Sequence, residues 1–317
     1  MFWPFPALLA AALLTSAASI AAKPAPAAPN PEALRAWHGR ELRVAAVTQR
    51  ILAANTAVCP KQSQQYGLVV ARLDDASSPP VRAALTAGLG LQDVPTALAV
   101  VPGSAAALAG LREGDRITAI GGTRWPQEQP PPPGARKAFW DALQAGQQAA
   151  TMQVDAERGG QTLTVMLTGK VACTASVFLI DRKTVNATTF GSQIEVHSAL
   201  EALLQDEAEL AFIISHELAH VILEHTGPGK EAHVRNHAVR QRIEVEADTL
   251  GVLLMARAGH DPAAAALANT RMARTNGPLT RLLGLHGAYM SNAERNAFLT
   301  RRAAEVRAQL ALEADKR

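Results

Sequence analysis

The sequence predicts an α+β fold of about two domains, and three observations carry that prediction. The chain has 317 residues, more than the ~150 residues typical of one domain. Its 48% hydrophobic and 19% charged content is enough to bury a core, which excludes intrinsic disorder. Short apolar runs alternate with polar residues in the middle of the chain, whereas an apolar stretch at 207–225 contains neither glycine nor proline. We expect a signal peptide at 1–22, a linker and N-terminal helical segment at 23–80, a β-rich domain at 81–170 and a domain of sheet and helices at 171–317.

The first 22 residues have the pattern of an export signal. None of their side chains is charged, and residues 7–21 form an apolar run interrupted only by small hydroxyl residues. Ser19-Ile20-Ala21 fits the small-x-small pattern of a cleavage site, although no lysine or arginine precedes the run. We expect cleavage near residues 21–22 and a periplasmic or secreted location; a retained membrane anchor is the alternative. No later stretch reaches 18 apolar residues, so we expect no transmembrane helix in the mature chain and leave membrane association open.

Charge and cysteine content narrow the classes of partner and of fold. The net charge is +3, aromatic residues make up 4% of the chain, and no lysine or arginine run is longer than a pair. A nucleic-acid partner is therefore not expected, because such proteins carry basic stripes with interleaved aromatic residues. Export would let Cys59 and Cys173 form a disulfide, with two buried thiols as the alternative. We also expect a helix near residues 41–55, which would pack on the last domain if the bridge forms.

The middle of the chain predicts a small β-rich module, because turn residues separate short apolar runs. Pro130–Pro133 forms a loop that neither a helix nor a central strand would tolerate. Glu157-Arg158-Gly159-Gly160 joins two alternating runs as a hairpin turn. The expected elements are, in order, a strand at 97–101, a short helix, a strand at 117–120, a turn at 121–122, a helix at 135–145 and a hairpin at 152–167.

This module resembles a PDZ domain. The resemblance rests on Pro102-Gly103-Ser104 and on the run from Ala109 to Asp115, Ala-Gly-Leu-Arg-Glu-Gly-Asp. PDZ domains add an extended peptide to a sheet edge and hold its terminal carboxylate on loop amides. The resemblance implies that the module binds substrate or chain ends, or else only braces the neighbouring domain. The loop that it implies for carboxylate binding is Gly88, Leu89, Gly90 and Leu91.

The last third carries the chemistry, in the string His216-Glu217-Leu218-Ala219-His220. Asp206 can cap the start of a helix, with Glu209 as its capping-box partner, and an apolar sequence follows to about residue 225. Residues four apart on a helix differ by about 40° in direction, so both imidazoles face one point. That is the geometry of a zinc site, and Glu217 is placed to act as general base toward the attacking water.

A catalytic zinc needs a third protein ligand and an open position. The best candidate is Glu244, on a second helix expected at 238–258, where Asp248 shares its face and can accept a ligand histidine N–H. Glu224 is a weaker alternative. His225 is expected to point away from the site, because it lies nine residues past His216 on the same predicted helix. Glu246 is expected to be a solvated charge.

His-Glu-x-x-His followed by Glu-x-x-Ala-Asp resembles the HtpX-like zinc metallopeptidases, a family that includes CAAX prenyl endopeptidases. The resemblance covers about residues 173–305. It implies one Zn²⁺ per chain, held by His216, His220 and Glu244, with Glu217 as the base and Asp248 beside the ligands. Asn186 and Ala187 match the family's Asn-Ala strand, along which an extended substrate could pair.

Two further positions follow from the same resemblance. His286 is the candidate that would stabilise the transition state, although its spacing is longer than the family pattern, and Arg295 is a weaker candidate. The basic loop at 227–237 is a candidate lid, in which His233 and His237 are expected to be solvated rather than ligands. We expect a short sheet at 177–196 before the two metal-binding helices, and C-terminal helices at 262–274 and 291–313.

The function predicted is that of a zinc-dependent endopeptidase acting on exported, including misfolded, proteins, with a PDZ domain for substrate or chain-end recognition. Two alternatives stay open. One is a PDZ-based peptide-binding or chaperone-like protein whose zinc site is latent or structural. The other is a protease regulated in cis, by the PDZ domain or by the loop at 227–237.

Overall fold

The computed structural model describes residues 29–73, 78–229, 237–275 and 290–315, so the predicted signal peptide lies outside the described residues. The predicted α+β class is confirmed, because both helices and sheets build the chain. The chain divides into two compact units. The first comprises residues up to 46 and 63–171, and the second comprises residues 47–62 and 172–317. No helix within the described ranges has the length and apolar character needed to cross a membrane.

The N-terminal helix α1 spans Pro31–Ala54, so it begins ten residues before the expected position. Proline is tolerated in a first helical turn, and the side chain of Asn30 accepts a hydrogen bond from the Glu32 amide at 2.8 Å. In the second unit, Asn55 donates to the Ile51 carbonyl at 2.8 Å and to the Leu254 carbonyl at 3.0 Å. These bonds tie the end of α1 into the second unit.

The first unit contains a six-stranded antiparallel sheet in the order β2-β3-β4-β6-β7, with β5 paired to β4. Phe139 is fully buried in its core and meets Trp125 edge-on, with ring centroids 5.4 Å apart. β2 lies in the segment expected to be linker and helix. The elements are β2 (Leu68–Ala71), α2 (Pro79–Leu89), β3 (Thr96–Val100), α3 (Ala105–Leu108), β4 (Arg116–Ile120), β5 (Thr123–Arg124), α4 (Ala135–Gln148), β6 (Thr151–Arg158) and β7 (Gln161–Thr168).

The segment from Gly88 to Leu91 is not the loop that the PDZ resemblance implies. Gly88 and Leu89 form the last turn of α2, and Gly90 ends that helix with φ 66° while its amide donates to the Thr86 carbonyl. Leu91 is fully buried. A side chain at Gly88 would come within 3.0 Å of the Pro31 carbonyl oxygen, so this glycine serves close packing of α2 on α1.

The second unit places a three-stranded sheet before its main helices, where the sequence predicts one. The order is β10-β11-β9, antiparallel between β10 and β11 and parallel between β11 and β9. The predicted Cys59–Cys173 disulfide is present. The elements are β9 (Ser176–Ile180), β10 (Ala187–Phe190), β11 (Gln193–His197), α5 (Ser198–Leu203), α6 (Glu207–Ile222), α7 (His237–Arg257), α8 (Ala264–Thr275) and α9 (Asn292–Ala314). A separate pair of strands is formed by β1 (Gln62–Gln65) and β8 (Lys170–Cys173).

Helix α6 is fixed at its start by a cap. The side chain of Asp206 accepts from the Glu209 amide at 2.8 Å, and the buried carboxylate of Glu209 accepts from the Gln205 amide at 2.9 Å. Arg271 of α8 donates to both oxygens of Glu209 at 2.7 and 2.8 Å. The buried carboxylate is therefore paired, as burial of a charge requires.

Gly251 of α7 allows close approach of α6 at the start of the His-Glu-x-x-His string. A Cβ atom at this position would lie 3.0 Å from both the Cα and the amide nitrogen of His216. These are backbone atoms, so the helices would have to separate. We expect Gly251→Ala to lower the free energy of unfolding by about 1–3 kcal/mol and to weaken zinc binding, measured by denaturant unfolding and chelator competition. Gly39→Ala, at a helical glycine with no neighbouring atom within 4 Å of the added Cβ, is the control; equal effects of both would contradict this explanation.

Candidate metal centre

Two buried imidazoles of α6 converge on one point. The Nε2 atoms of His216 and His220 lie 3.3 Å apart, and both side chains are less than 12% exposed. One turn of helix separates the two residues, which places their side chains on the same face. The convergence directs the Nε2 atoms of both rings toward one position, where both could bind a single ion.

Glu244 of α7 completes the group. Its Oε2 lies 3.4 Å from Nε2 of His216, and its Oε1 lies 3.8 Å from Nε2 of His220. One donor atom from each of these three residues lies within 4.8 Å of the others. Two imidazole nitrogens and one carboxylate are one of the donor sets found in catalytic zinc sites, in which the fourth position stays open.

The charges around the group fit a bound cation. Burial disfavours the protonated form of His216, but hydrogen bonds to Asp248 and Glu244 outweigh it and raise its pKa to about 10. Burial also opposes ionisation of Glu244, yet its hydrogen bond to His216 helps to lower its pKa to about 2. The protein alone thus holds a positive charge at this point. A divalent cation would supply that charge and leave His216 neutral, as a metal ligand must be.

Asp248 and Arg295 support His216 from its other side. Oδ1 of Asp248 lies 2.9 Å from Nδ1 of His216, and Arg295 of α9 donates to both Asp248 oxygens at 2.9 and 2.7 Å. Asp248 is fully buried; burial opposes its ionisation, but the charge of Arg295 and the bond to His216 lower its pKa to about 2. Arg295 is therefore a partner of Asp248 in this structure. An ionised Asp248 holds the Nδ1–H of His216 and directs Nε2 to the metal position.

Glu217 lies beside the ligands and is buried. Burial raises the pKa of its carboxyl group. Thr189 of β10 donates from its hydroxyl to Oε2 of Glu217 at 2.6 Å and lies 3.2 Å from the Glu217 carbonyl oxygen. Thr189 therefore fixes the carboxylate, a role that no spacing in the sequence indicates.

His225 lies against the site, and the expectation that it points away is wrong. Helix α6 ends at Ile222, not near residue 225, and Nδ1 of His225 lies 3.0 Å from Nδ1 of His220. Nε2 of His225 lies 3.0 Å from Oε2 of Glu246, so Glu246 is paired with His225. The prediction assumed one more helical turn, which would have carried the ring to the opposite face.

Other predicted residues are placed as follows. Asn186 precedes β10 and accepts from the His197 amide at 3.1 Å, while Ala187 begins β10 and pairs with Val196. β10 is the first strand in the order β10-β11-β9. The hydrogen bond from Thr189 to Glu217 places this strand next to the candidate base. Glu224 is exposed, and the metal-binding group does not include it. His286 and His233 lie outside the described residues.

Comparison with known families agrees with the two predicted domain types. Residues 170–238 match the model of peptidase family M48, and residues 96–128 match the model of a PDZ domain. The first match covers the three-stranded sheet and α6, and it supports a zinc metallopeptidase. Glu244 and Asp248 lie beyond its end. The second match covers β3 to β5. No curated protein matches the chain.

Proposed function

We propose that this protein is a zinc-dependent endopeptidase that cleaves exported proteins. The observation that carries the proposal is the convergence of His216, His220 and Glu244 beside the buried carboxylate of Glu217. Two imidazoles and a carboxylate suit zinc, and a carboxyl group beside them that is not part of the ligand group suits proton transfer. The match to peptidase family M48 supports the same reaction class.

Proton transfer in the proposed reaction falls to Glu217, which Thr189 holds in place. When bound, zinc would supply Lewis-acid chemistry toward the scissile carbonyl and the attacking water. Glu217 takes the proton of that water on its carboxylate and later passes it to the leaving amine. Its raised pKa suits this exchange, because a general base works best when its pKa approaches the working pH. Thr189 holds Oε2 of Glu217 and thereby orients the other oxygen for the proton.

The substrate would bind as an extended strand. β10 has β11 on one side and lies at the edge of its sheet among the described residues. A peptide that pairs with Asn186 and Ala187 would run past Glu217 on α6, to which Thr189 ties the strand. Backbone pairing accepts many sequences, which suits an enzyme that acts on misfolded chains.

The first unit is proposed to bind peptides through its PDZ fold. Gly88 to Leu91 give no support as the carboxylate-binding loop, because part of the segment is helix and the rest is a cap and a buried leucine. The sheet edge at β2 is the better candidate. Leu68 of β2 shares one buried cluster with Phe139 and Leu143 of α4, and Gly67 before it has φ 66°. A peptide added there would lie on an apolar surface.

Export is proposed from the N-terminal pattern together with the disulfide. The bridge joins residues 114 positions apart in the chain. Such bonds persist in oxidising compartments, which supports a periplasmic or secreted location. A binding or chaperone-like protein with a latent zinc site remains the second candidate, and turnover separates the two.

Removal of the metal tests the proposed function. The purified protein is expected to contain one zinc per chain by elemental analysis and to cleave casein. We expect 1,10-phenanthroline to abolish cleavage and added Zn²⁺ to restore it. The reason is that the reaction needs the Lewis acid that His216, His220 and Glu244 would hold. Bound zinc without cleavage would favour the latent site, and a protein that binds no zinc would refute the assignment.

A further inference from the structure

The two candidate metal ligands on α6 are supported in different ways. His216 reaches a carboxylate directly, through Asp248 at 2.9 Å. His220 instead meets a second imidazole at its Nδ1, that of His225, at 3.0 Å. His225 in turn meets Glu246 at 3.0 Å. A line of three side chains therefore runs from Nδ1 of His220 to a carboxylate.

The backbone turns back to bring His225 to this place. Helix α6 ends at Ile222, Glu224 takes a left-handed conformation with φ 52°, and the amide of His225 donates to the His220 carbonyl at 3.0 Å. Glu224 is the one residue other than glycine with positive φ in the described part of the chain. The turn places the His225 ring against His220, where it is only 6% exposed.

Only one placement of protons on neutral rings suits both contacts and a metal ligand. Nε2 of His220 faces His216 and Glu244, so it must carry a lone pair to bind a cation. Its proton then lies on Nδ1 and is donated to Nδ1 of His225, whose own proton lies on Nε2 and is donated to Glu246. The opposite placement would turn a lone pair of His225 toward the Glu246 carboxylate, which is repulsive. Glu246 thereby selects the form of His220 that can bind metal.

We infer that His225 and Glu246 are positioning residues that hold His220 as a zinc ligand through a Glu246–His225–His220 relay. The inference rests on the proposed metal site and adds two residues to it. His225 accepts the Nδ1–H of His220, and Glu246 fixes the orientation and the tautomer of His225. Loss of either would therefore reduce metal affinity without touching a ligand atom.

The experiment measures zinc affinity of the full chain by chelator competition. We expect His225→Phe to weaken zinc binding by about 10–100-fold, the effect typical of residues that support metal ligands. His225→Gln is expected to recover part of this affinity, because its amide oxygen can accept the Nδ1–H of His220. Glu246→Gln is expected to give a smaller loss, since it keeps an acceptor without the charge. The absorption spectrum of Co²⁺-loaded protein should shift with His225→Phe.

Arg242→Gln is the matched control. Arg242 lies on α7 at 3.8 Å from Glu246, so its replacement perturbs the same carboxylate and leaves the relay intact. We expect wild-type zinc affinity for this variant. Equal losses of zinc affinity for Arg242→Gln and Glu246→Gln would show that the effect comes from surface charge, and this result would overturn the relay. Equal losses for His225→Phe and His225→Gln, with lower thermal stability of the metal-free protein, would indicate packing instead.

The outcomes separate this inference from the proposed function. If the wild type and all variants bind zinc equally tightly, the relay is refuted while the metal site stands. If the wild type binds no zinc, both are refuted. Both outcomes are decided by zinc affinity and not by cleavage. The relay can therefore be tested even if the protein binds zinc without cleaving peptides.

Discussion

Glu217→Gln is expected to abolish peptide cleavage and to leave zinc binding unchanged. Proton transfer by a positioned carboxylate contributes about 10²–10⁴-fold to rate, so kcat should fall by at least about 10²-fold. Glutamine has almost the shape of glutamate, and its carbonyl oxygen can still accept from Thr189, whose hydroxyl now donates to Oε2 at 2.6 Å. The fold around the site should therefore be preserved. Casein cleavage and zinc content, measured on the same preparation, check both parts.

Glu224→Gln is the control for this prediction. Glu224 lies just beyond α6 and is exposed, so the substitution removes a nearby charge without touching the metal-binding group. We expect both its cleavage rate and its zinc content to equal those of the wild type. Cleavage by Glu217→Gln within tenfold of the wild type would mean that another group serves as base. Loss of zinc from Glu217→Gln would give this carboxylate a structural role instead.

The two metal-binding helices could be predicted closely because their signals are local. The start of α6 follows from Asp206 as a cap, and α7 ends before Gly259, which has φ 83°. The spacing of His216 and His220 predicts convergent rings from helix geometry alone. The shared helix face of Glu244 and Asp248 makes Glu244 the best candidate for the third ligand, and the family resemblance implies the same role, but no local rule brings a residue on one helix to a neighbouring helix.

The remaining site residues depend on long-range packing and on one short turn. Thr189 reaches Glu217 only because β10 packs beside α6, and an isolated threonine in a strand gives no such signal. The expectation for His225 is wrong because no glycine or proline interrupts residues 207–225, whereas the helix ends at Ile222. Glu246 is exposed, as expected of a solvated charge, but its contact with His225 was not foreseen. The left-handed conformation of Glu224, which periodicity does not reveal, therefore accounts for the placement of His225 and for its contact with Glu246.

The same limit affects the first unit. The sequence predicts its later strands from alternation and turns, but β2 has only four residues and lies far from β3 in sequence. Gly88 illustrates the other difficulty. A glycine in a run of Gly-Leu-Gly-Leu suggests a loop, whereas here it permits close packing of α2 on α1. Glycine occurs in loops because of its backbone freedom and at close helix contacts because it has no side chain, so the residue alone does not distinguish the two.

Arg295→Met is expected to have the largest effect on stability. Arg295 is the cation that pairs with both oxygens of the fully buried Asp248, at 2.9 and 2.7 Å. Removal of one partner of a buried ion pair costs about 3–5 kcal/mol, and we expect a loss at the lower end of this range because His216 stays beside Asp248 at 2.9 Å and compensates part of its charge. The pKa of Asp248, now lowered to about 2, should rise toward its ordinary value or beyond, because burial alone favours the neutral form. Denaturant unfolding of the metal-free protein measures the loss.

Arg302→Met on the same helix is the matched control. Arg302 donates to the Thr249 carbonyl at 3.1 Å and pairs with Glu305, whose side chain is 63% exposed. A pair of this kind contributes about 0–1 kcal/mol, so the control should lose far less stability than Arg295→Met. Equal losses for the two variants would contradict a special role of the buried pair.

A double variant separates the fold from the metal site. Asp248→Asn combined with Arg295→Met removes both charges, so it should recover much of the stability that Arg295→Met loses. Its zinc affinity should nevertheless stay below that of the wild type, because His216 would face a neutral amide at Nδ1 in place of an ionised carboxylate. Recovery of both quantities together would mean that Asp248 only balances Arg295. Recovery of stability alone would assign Asp248 to the orientation of His216.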